Sequence, residues 1–290
     1  MTEPKNRWLL GARPKTLGAA AAPVLVGTAI GISDAELNLI TAGLAATVGL
    51  SLQIAVNYAN DYSDGIKGSD AVRTGPTRLV ASGLATAAEV KRAALAAFLV
   101  AAMAGFLLAM LTSWWLLAVG VVSIVAAWFY TGGNSPYGYR GFGELSVFIF
   151  FGLVATVGSY FAQTETISIT SIVAGSSVGL LSMALLIVNN LRDLPTDKSA
   201  NKITLAVKLG DKKTRLFYLG SVVASIMLAM LLAFAAPLAA LSGLLILIAM
   251  PPVRDVVAGA AGKDLIPTLQ QTNRLLLVLG LLLSIAFLLS

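Results

Sequence analysis

The strongest constraint on the fold is a series of long apolar runs, each about as long as a helix that crosses a lipid bilayer. Such a helix needs roughly 20 mainly apolar residues, and about nine runs meet that requirement. They lie near residues 16–32, 37–59, 88–111, 114–130, 144–163, 168–190, 215–235, 238–253 and 272–289. The sequence therefore predicts an all-α, multi-pass transmembrane helical bundle of about nine spanning helices. Residues 1–290 are predicted to form a single domain.

Composition agrees with burial in lipid. Charged residues make up 12% of the chain and hydrophobic residues 57%, whereas an average soluble domain has about a quarter of its residues charged. Too little polar surface remains to face water, so membrane lipid is predicted to surround the protein.

The basic residues lie on one side of the predicted bundle. If the N-terminus is cytoplasmic, the outward connections contain neither Lys nor Arg, and all 20 basic residues fall on the inward side. This asymmetry follows the positive-inside rule. It predicts a protein of the cell (inner or plasma) membrane with a cytoplasmic N-terminus and an outside C-terminus. It also accounts for the net charge of +6, so no nucleic acid partner is expected.

Two long inward connections, near 61–87 and 191–214, carry dense groups of acids and amides. Long loops are usually functional or disordered, so the working face is predicted to be cytoplasmic. The chain has no cysteine and no histidine, which excludes disulfides, thiolate and imidazole metal ligands, and Cys–His or Ser–His catalytic pairs. Its chemistry must use carboxylates, amides, hydroxyls, Lys, Arg and aromatic rings.

Two predicted helices end in amides and carboxylates spaced three or four residues apart, which places the members of each set on one helix face. The sets are Asn57, Asp61 and Asp64, with Asn60 at the side of their face, and Asn189, Asp193 and Asp197. Their oxygens are hard ligands of the kind that Mg²⁺ takes together with water and phosphate. The sequence thus predicts Mg²⁺ bound with a diphosphate. The alternative, solvated loop charges, is weaker because polar groups in the last turns of an apolar helix are costly and usually functional.

Basic residues near these sets can complete an anion site through charge-assisted hydrogen bonds. They are Lys67, Arg78, Arg140, Lys198 and Lys202. Membrane topology alone also accounts for most Lys and Arg residues, so both interpretations stay open for each of them.

At these residues the sequence resembles the UbiA superfamily of intramembrane aromatic prenyltransferases. The pattern Asn60-Asp61-x-x-Asp64 is similar to the first superfamily signature, and Asp193-x-x-x-Asp197 is similar to the second. Stretches across nearly the whole chain resemble the menaquinone branch more closely. They are 12–16, 60–70, 130–133 with 137–141, and 189–193 running to 204–207. Gly68 stands where many members have another acid, and the next acid is Asp70.

The resemblance implies a Mg²⁺-dependent polyprenyltransferase of menaquinone biosynthesis. It implies that an all-trans-polyprenyl diphosphate ionises at its allylic C–O bond and that 1,4-dihydroxy-2-naphthoate attacks the cation. Loss of CO₂ and diphosphate then gives demethylmenaquinone. Together with the helical spacing, it gives the metal ligands as Asn60, Asp61, Asp64, Asp70, Asp193 and Asp197, with Asp61, Asp64, Asp193 and Asp197 as the catalytic acids. The substrate-binding candidates are Asn57, Asn60, Lys67, Arg78, Tyr139, Arg140, Asn189, Lys198 and Lys202, with Arg13 and Lys15 for the acceptor carboxylate.

Two alternatives stay open. A UbiA-type enzyme with another aromatic acceptor, such as 4-hydroxybenzoate or haem, fits the same residues, because the naphthoate rests on the resemblance alone. A secondary transporter is the weaker alternative. Transporters usually place ionisable groups near the membrane midplane at broken helices, whereas these acids gather at one rim of nearly uncharged spans.

Overall fold

The computed structural model describes residues 6–68 and 77–290, and within them the chain is helical, without strands. The α-helices are α1 (Arg7–Ala12), α2 (Gly18–Asp34), α3 (Leu39–Lys67), α4 (Ala87–Leu111), α5 (Trp115–Phe129), α6 (Gly143–Val147), α7 (Ala155–Thr164), α8 (Ile169–Ser199), α9 (Leu205–Leu209), α10 (Asp211–Leu231), α11 (Leu245–Val257) and α12 (Leu265–Leu288). A π-helix, Phe148–Val154, joins α6 to α7, and the 3₁₀ segments are Pro14–Thr16, Tyr137–Arg140, Leu232–Phe234, Pro237–Leu244 and Gly262–Asp264. The all-α prediction is confirmed.

In the described part of the chain, seven helical segments are long and apolar enough to cross a membrane. They are Leu39–Lys67, Ala87–Leu111, Gly143–Thr164, Ile169–Ser199, Asp211–Phe234, Pro237–Val257 and Gly262–Leu288. An eighth span arises if Arg7–Thr16 and Gly18–Asp34, which meet at a bend of 51°, are counted together. The apolar helix α5 has only 15 residues. Each predicted run therefore falls on helical structure, while the count of nine spans stays a prediction.

Two helices continue well beyond the apolar runs that predict them. The run near 37–59 belongs to α3, which extends to Lys67, and the run near 168–190 belongs to α8, which extends to Ser199. Gly68 ends α3 in the left-handed conformation (φ 71°), which a glycine adopts without steric cost. Both sets of amides and carboxylates consequently lie on helices, and the connections begin later than the hydropathy suggests.

The helix α8 is the centre of the bundle. Two thirds (67%) of its most apolar window is buried, against 28–50% in the other six spans. Glycines let the π-helix approach its backbone: a Cβ on Gly152 would lie 2.5 Å from Cα of Gly179 and 2.7 Å from the carbonyl oxygen of Gly175. Small residues at a helix crossing permit such an approach in a membrane protein. This packing fixes the position of the polar end of α8.

Candidate active site

The last turns of α3 carry the first acidic cluster, which comprises Asn57, Asn60, Asp61 and Asp64. The exposed fraction is 4% for Asn57, 0% for Asp61 and 2% for Asp64. The last turns of α8 carry the second acidic cluster, which comprises Asn189, Asp193 and Asp197. There the exposed fraction is 3% for Asp193 and 7% for Asp197. In both clusters the helical spacing turns the carboxylates into the protein, where each needs a partner.

The first acidic cluster is hydrogen-bonded to residues 78–80, in the connection between α3 and α4. The carboxylate of Asp61 accepts hydrogen bonds from the N–H groups of Leu79 (2.8 Å) and Val80 (3.1 Å). The guanidinium of Arg78 lies 3.6 Å from the carboxylate of Asp64, and Arg78 is 6% exposed. The structure thus brings Arg78 to the first acidic cluster, as the sequence predicts.

The second acidic cluster is held by a residue that the sequence analysis did not assign to the site. Arg192 donates from Nε and Nη2 to the two carboxylate oxygens of Asp193, each at 2.7 Å, and from Nη2 to Oδ1 of Asn189 at 2.9 Å. Such a two-point pair is stronger and more directional than a single contact. The position of Arg192 directly before Asp193 was the signal that could have identified it.

Tyr139 connects the two acidic clusters. Its hydroxyl donates a hydrogen bond to Asp64 on α3. The ammonium groups of Lys67 and Lys202 lie 5.1 Å and 5.0 Å from the centroid of its ring. Lys202 also pairs with Asp197 on α8 at 3.8 Å. The polar ends of the two helices therefore meet at one aromatic ring that two cations contact.

Thr131 links Lys67 to Asn60 of the first acidic cluster. Lys67 donates to the carbonyl oxygen of Thr131 at 2.6 Å, and the Thr131 hydroxyl donates to Oδ1 of Asn60 at 2.8 Å. Thr131 is 2% exposed. It lies in the stretch 130–133 that resembles the menaquinone branch, which was the signal for it, although the sequence analysis assigned it no role.

Asn57 holds the bend between α1 and α2. Its amide donates to the carbonyl oxygen of Ala12 (2.9 Å) and to the Thr16 hydroxyl (3.0 Å). Between these partners, Arg13 adopts a left-handed conformation (φ 53°) before Pro14. Such a conformation is uncommon outside glycine and persists where the surroundings enforce it.

The remaining predicted residues lie apart from these contacts. Arg140 and Lys198 are exposed, Arg140 beside Ser135 and Lys198 in the last turn of α8. The backbone carbonyl of Lys15 accepts a hydrogen bond from Asn273 at 3.3 Å. Asp70 lies outside the described residues, so its predicted role as a metal ligand stays a prediction.

The amides of both acidic clusters line one cavity of about 1000 Å³. Its polar lining comes from both helix ends and from the bend, and includes Arg13, Lys15, Asn57, Asn60, Asn189 and Arg192. Its apolar lining includes Leu108, Leu116, Val119, Phe150 and Phe151. Two of these, Phe150 and Phe151, belong to the π-helix, a distortion that is frequent at functional sites. The cavity thus joins a polar end to an apolar body.

Two further polar groups support this cavity. Asn190 donates to the buried carboxylate of Glu144 at 2.9 Å, which ties α8 to α6. The Tyr137 hydroxyl lines the cavity and donates to the carbonyl oxygen of Ala126 at 2.9 Å. Burial raises the pKa of Tyr137, which keeps the hydroxyl neutral and able to donate.

The donor set suits Mg²⁺, which is usually held by one or two carboxylates together with water and substrate phosphates. Asp64 on α3 accepts a hydrogen bond from Tyr139, and Asp197 on α8 pairs with Lys202, which contacts the same ring, so both helices bring hard carboxylate oxygens near Tyr139. Within residues 6–68 and 77–290, no three His, Cys, Asp or Glu side chains form a metal-binding group by themselves. The carboxylates of the two helices therefore suit ions whose coordination substrate phosphates complete.

Comparison with known proteins assigns the family. The family model described as UbiA prenyltransferase family matches residues 20–275. This chain belongs to the UbiA prenyltransferase family. It is 45% identical to the 1,4-dihydroxy-2-naphthoate octaprenyltransferase of Mycobacterium tuberculosis H37Rv over 95% of this chain and 94% of that protein. It is 37% identical to the Escherichia coli K12 protein of the same name over 96% and 95% of the two chains.

Solved structures of the family share the fold. A UbiA homolog from Aeropyrum pernix K1 in its apo form superposes with a TM-score of 0.73 at 17% identity, covering 96% of this chain and 98% of that one. A UbiA homolog from Archaeoglobus fulgidus bound to GPP and Mg²⁺ gives a TM-score of 0.70 at 14% identity, covering 98% and 100%. The UbiA fold and the apolar helices together make this chain an integral membrane protein.

Proposed function

We propose that this chain transfers a polyprenyl group from an all-trans-polyprenyl diphosphate to 1,4-dihydroxy-2-naphthoate, with loss of CO₂ and diphosphate, to give demethylmenaquinone. The observation that carries this proposal is the 45% identity, over nearly the full length of both chains, to a 1,4-dihydroxy-2-naphthoate octaprenyltransferase. The geometry supports it, because amide side chains from the polar ends of both helices line one cavity with an apolar body.

We assign the metal to Asn60, Asp64, Asp193 and Asp197. Mg²⁺, when bound, neutralises the charge that develops on a departing diphosphate. Support comes from the hard oxygen donors on both helices and from the Archaeoglobus fulgidus homolog, whose structure is bound to GPP and Mg²⁺. Asp61, which the sequence pattern also predicts as a ligand, has backbone partners on both oxygens, and its role is argued separately below.

We assign the binding of the diphosphate to three basic side chains that are held in place by contacts within the protein. Arg78 is buried beside Asp64, and Lys67 and Lys202 stand on the ring of Tyr139. Fixed cations stabilise a leaving anion without reorganising during the reaction. The exposed residues Arg140 and Lys198 are assigned to the entry of the diphosphate from the aqueous side.

The acceptor and the prenyl chain are assigned to the cavity. Arg13 and Lys15 line its polar part at the bend and are assigned to the acceptor carboxylate. The apolar wall, with Phe150 and Phe151, is assigned to the naphthoate ring and the isoprenoid chain. Such a wall excludes water and so protects an allylic cation from hydrolysis until the ring carbon attacks it.

We also propose the topology that the charges predict. The chain crosses the cell membrane nine times as one domain, with α2, which follows the bend, and the short helix α5 each serving as a span. The N-terminus and the active site face the cytoplasm. The support is the one-sided distribution of the 20 basic residues.

The decisive experiment is an assay of the purified protein in detergent. The protein would be incubated with Mg²⁺, one polyprenyl diphosphate, and in turn 1,4-dihydroxy-2-naphthoate, 4-hydroxybenzoate or haem. We expect prenylated product, released CO₂ and released diphosphate with the naphthoate alone, and none after chelation of divalent metal. Product with 4-hydroxybenzoate or haem instead would contradict the assigned acceptor, and solute transport by liposomes without any product would favour a transporter.

A further inference from the structure

Arg78 begins a short turn, residues 78–85, which we call the Arg78 turn. Its backbone is bonded to itself: the N–H of Ser82 donates to the carbonyl oxygen of Arg78 at 3.0 Å, and the N–H of Ala85 donates to that of Leu79 at 3.1 Å. The turn is therefore one compact unit. Whatever fixes its backbone also fixes the point from which the Arg78 side chain extends.

Two glycines make room for the side chains of the Arg78 turn. A Cβ on Gly11 of α1 would lie 2.6 Å from Cδ1 of Leu79, and a Cβ on Gly65 of α3 would lie 2.5 Å from Cγ1 of Val80. Leu79 is fully buried. The turn is thus packed directly against the backbones of α1 and α3, where well-packed side chains have little room to move.

Asp61 completes this attachment. It is fully buried, and a buried carboxylate needs hydrogen bonds that replace those of water. The N–H groups of Leu79 and Val80 provide them, one to each oxygen. One turn further along α3, the carboxylate of Asp64 meets the guanidinium of Arg78. Asp61 therefore binds the main chain of the Arg78 turn, while Asp64 contacts the Arg78 side chain.

We propose that Asp61 is a positioning residue, which fixes the Arg78 turn so that the guanidinium stands at the diphosphate site, and that it does this in place of binding metal. The inference rests on the proposed function, because it takes Arg78 as a diphosphate ligand. It separates two acids that the sequence pattern groups together. Asp64 serves the metal, and Asp61 serves the loop that supplies a cation to the same substrate.

The first test compares Asp61→Asn with Asp64→Asn, its matched control one turn away. Asparagine keeps the size of Asp61 but directs an NH₂ group at a backbone N–H that needs an acceptor. We expect the KM for polyprenyl diphosphate to rise about tenfold in Asp61→Asn, with no change in the Mg²⁺ concentration that gives half-maximal rate. In Asp64→Asn that Mg²⁺ concentration should rise at least about tenfold. A Mg²⁺ requirement shifted equally in both variants would overturn the inference.

The second test asks whether Asp61 acts through Arg78. The KM of Asp61→Asn, Arg78→Ala and the double variant would be measured under the same conditions. If Asp61 only places Arg78, the double variant should have the KM of Arg78→Ala, because interacting residues are not additive. Two effects that multiply would overturn the inference, since Asp61 would then act on its own.

The third test moves the turn without altering any charge, and it stands even if Asp61→Asn fails to fold. In Gly65→Ala the new methyl group meets Val80, so the turn must shift. We expect a several-fold higher KM for polyprenyl diphosphate and an unchanged Mg²⁺ requirement. Gly220→Ala on α10 is the control, because nothing lies within 4 Å of its added Cβ, and it should behave as wild type. An unchanged KM in Gly65→Ala would overturn the inference.

These outcomes differ from a failure of the proposed function. Wild-type protein that forms no product with any polyprenyl diphosphate would overturn the proposed function and this inference with it. Active wild-type protein with Asp61→Asn altered only in its Mg²⁺ requirement overturns the inference alone.

Discussion

The first acidic cluster takes partners from distant parts of the chain, whereas Asn189 and Asp193 of the second are joined by a neighbour on their own helix. Asp61 accepts from residues 18 and 19 positions away, and Asp64 accepts from Tyr139 across 75 positions. Asp193 is paired with the adjacent Arg192, which also reaches Asn189 three positions back. Similar sequence spacing thus serves two different kinds of local structure.

The two clusters therefore depend on different parts of the fold. The contacts of Arg192 with Asn189 and Asp193 form within α8, and their place in the molecule depends on the packing of that central helix. The first acidic cluster is complete only when the Arg78 turn and the segment around Tyr139 have docked on α3. The first acidic cluster therefore depends on more of the tertiary structure than the contacts of Arg192 do.

The largest expected effect comes from Asp64→Ala. This change removes a proposed metal ligand and the common partner of Arg78 and Tyr139. We expect kcat to fall at least about 100-fold, with normal insertion into the membrane, in the product assay described above. Activity close to wild type would remove Asp64 from the mechanism and leave the remote partners of the first cluster without a function.

A smaller effect is expected from Arg192→Ala, which acts only on the second acidic cluster. It leaves the buried carboxylate of Asp193 without its two-point partner, and we expect kcat/KM to fall about 10- to 100-fold. Arg192→Lys is the matched variant: it keeps the charge but cannot reproduce the planar two-point contact, so it should recover only part of the activity. Full activity in Arg192→Ala would mean that the second cluster does not depend on its local pair.

Tyr139→Phe tests the connection between the clusters. The change removes the hydroxyl that donates to Asp64 and keeps the aromatic ring that Lys67 and Lys202 contact. The loss of one such hydrogen bond predicts a KM for polyprenyl diphosphate raised about threefold to tenfold. Tyr139→Ala removes the ring as well and should raise it further. Equal KM values for the two variants would show that the contacts of the ring with Lys67 and Lys202 contribute nothing to the binding of polyprenyl diphosphate.

Much of this structure follows from the sequence because it depends on local patterns. Apolar runs predict the helices, and the spacing of Asn57, Asp61 and Asp64 predicts a shared face, which the structure turns inward. Hydropathy misplaces the ends of α3 and α8 because it stops at the first polar residues, although the backbone hydrogen bonds continue to Gly68 in α3. That glycine was a readable stop signal.

The contacts that distinguish the first cluster could not be predicted in the same way. No local pattern states that the backbone N–H of Leu79, rather than an ion, would face Asp61, because that contact depends on how a turn packs against α1 and α3. The sequence motifs therefore predict the same role, metal binding, for Asp61, Asp64, Asp193 and Asp197. Two of them, Asp61 and Asp64, have partners in the fold that imply separate roles.

The smallest effect is expected at Arg7, which contacts the Arg78 turn but not the first acidic cluster itself. Arg7 on α1 donates to the carbonyl oxygen of Leu84 in the Arg78 turn (2.8 Å) and pairs with Glu89 (3.1 Å). The Arg7 and Glu89 side chains are 41% and 30% exposed, and ion pairs in contact with solvent contribute little. Arg7→Met should therefore change the KM for polyprenyl diphosphate by less than about twofold. Glu89→Gln is the control, since it weakens the ion pair but keeps the bond to Leu84. A tenfold change in Arg7→Met alone would show that the Arg7 side chain also holds the Arg78 turn, in addition to the packing of Leu79 against Gly11. The set of distant residues on which the first cluster depends would then include a side chain of the first helix.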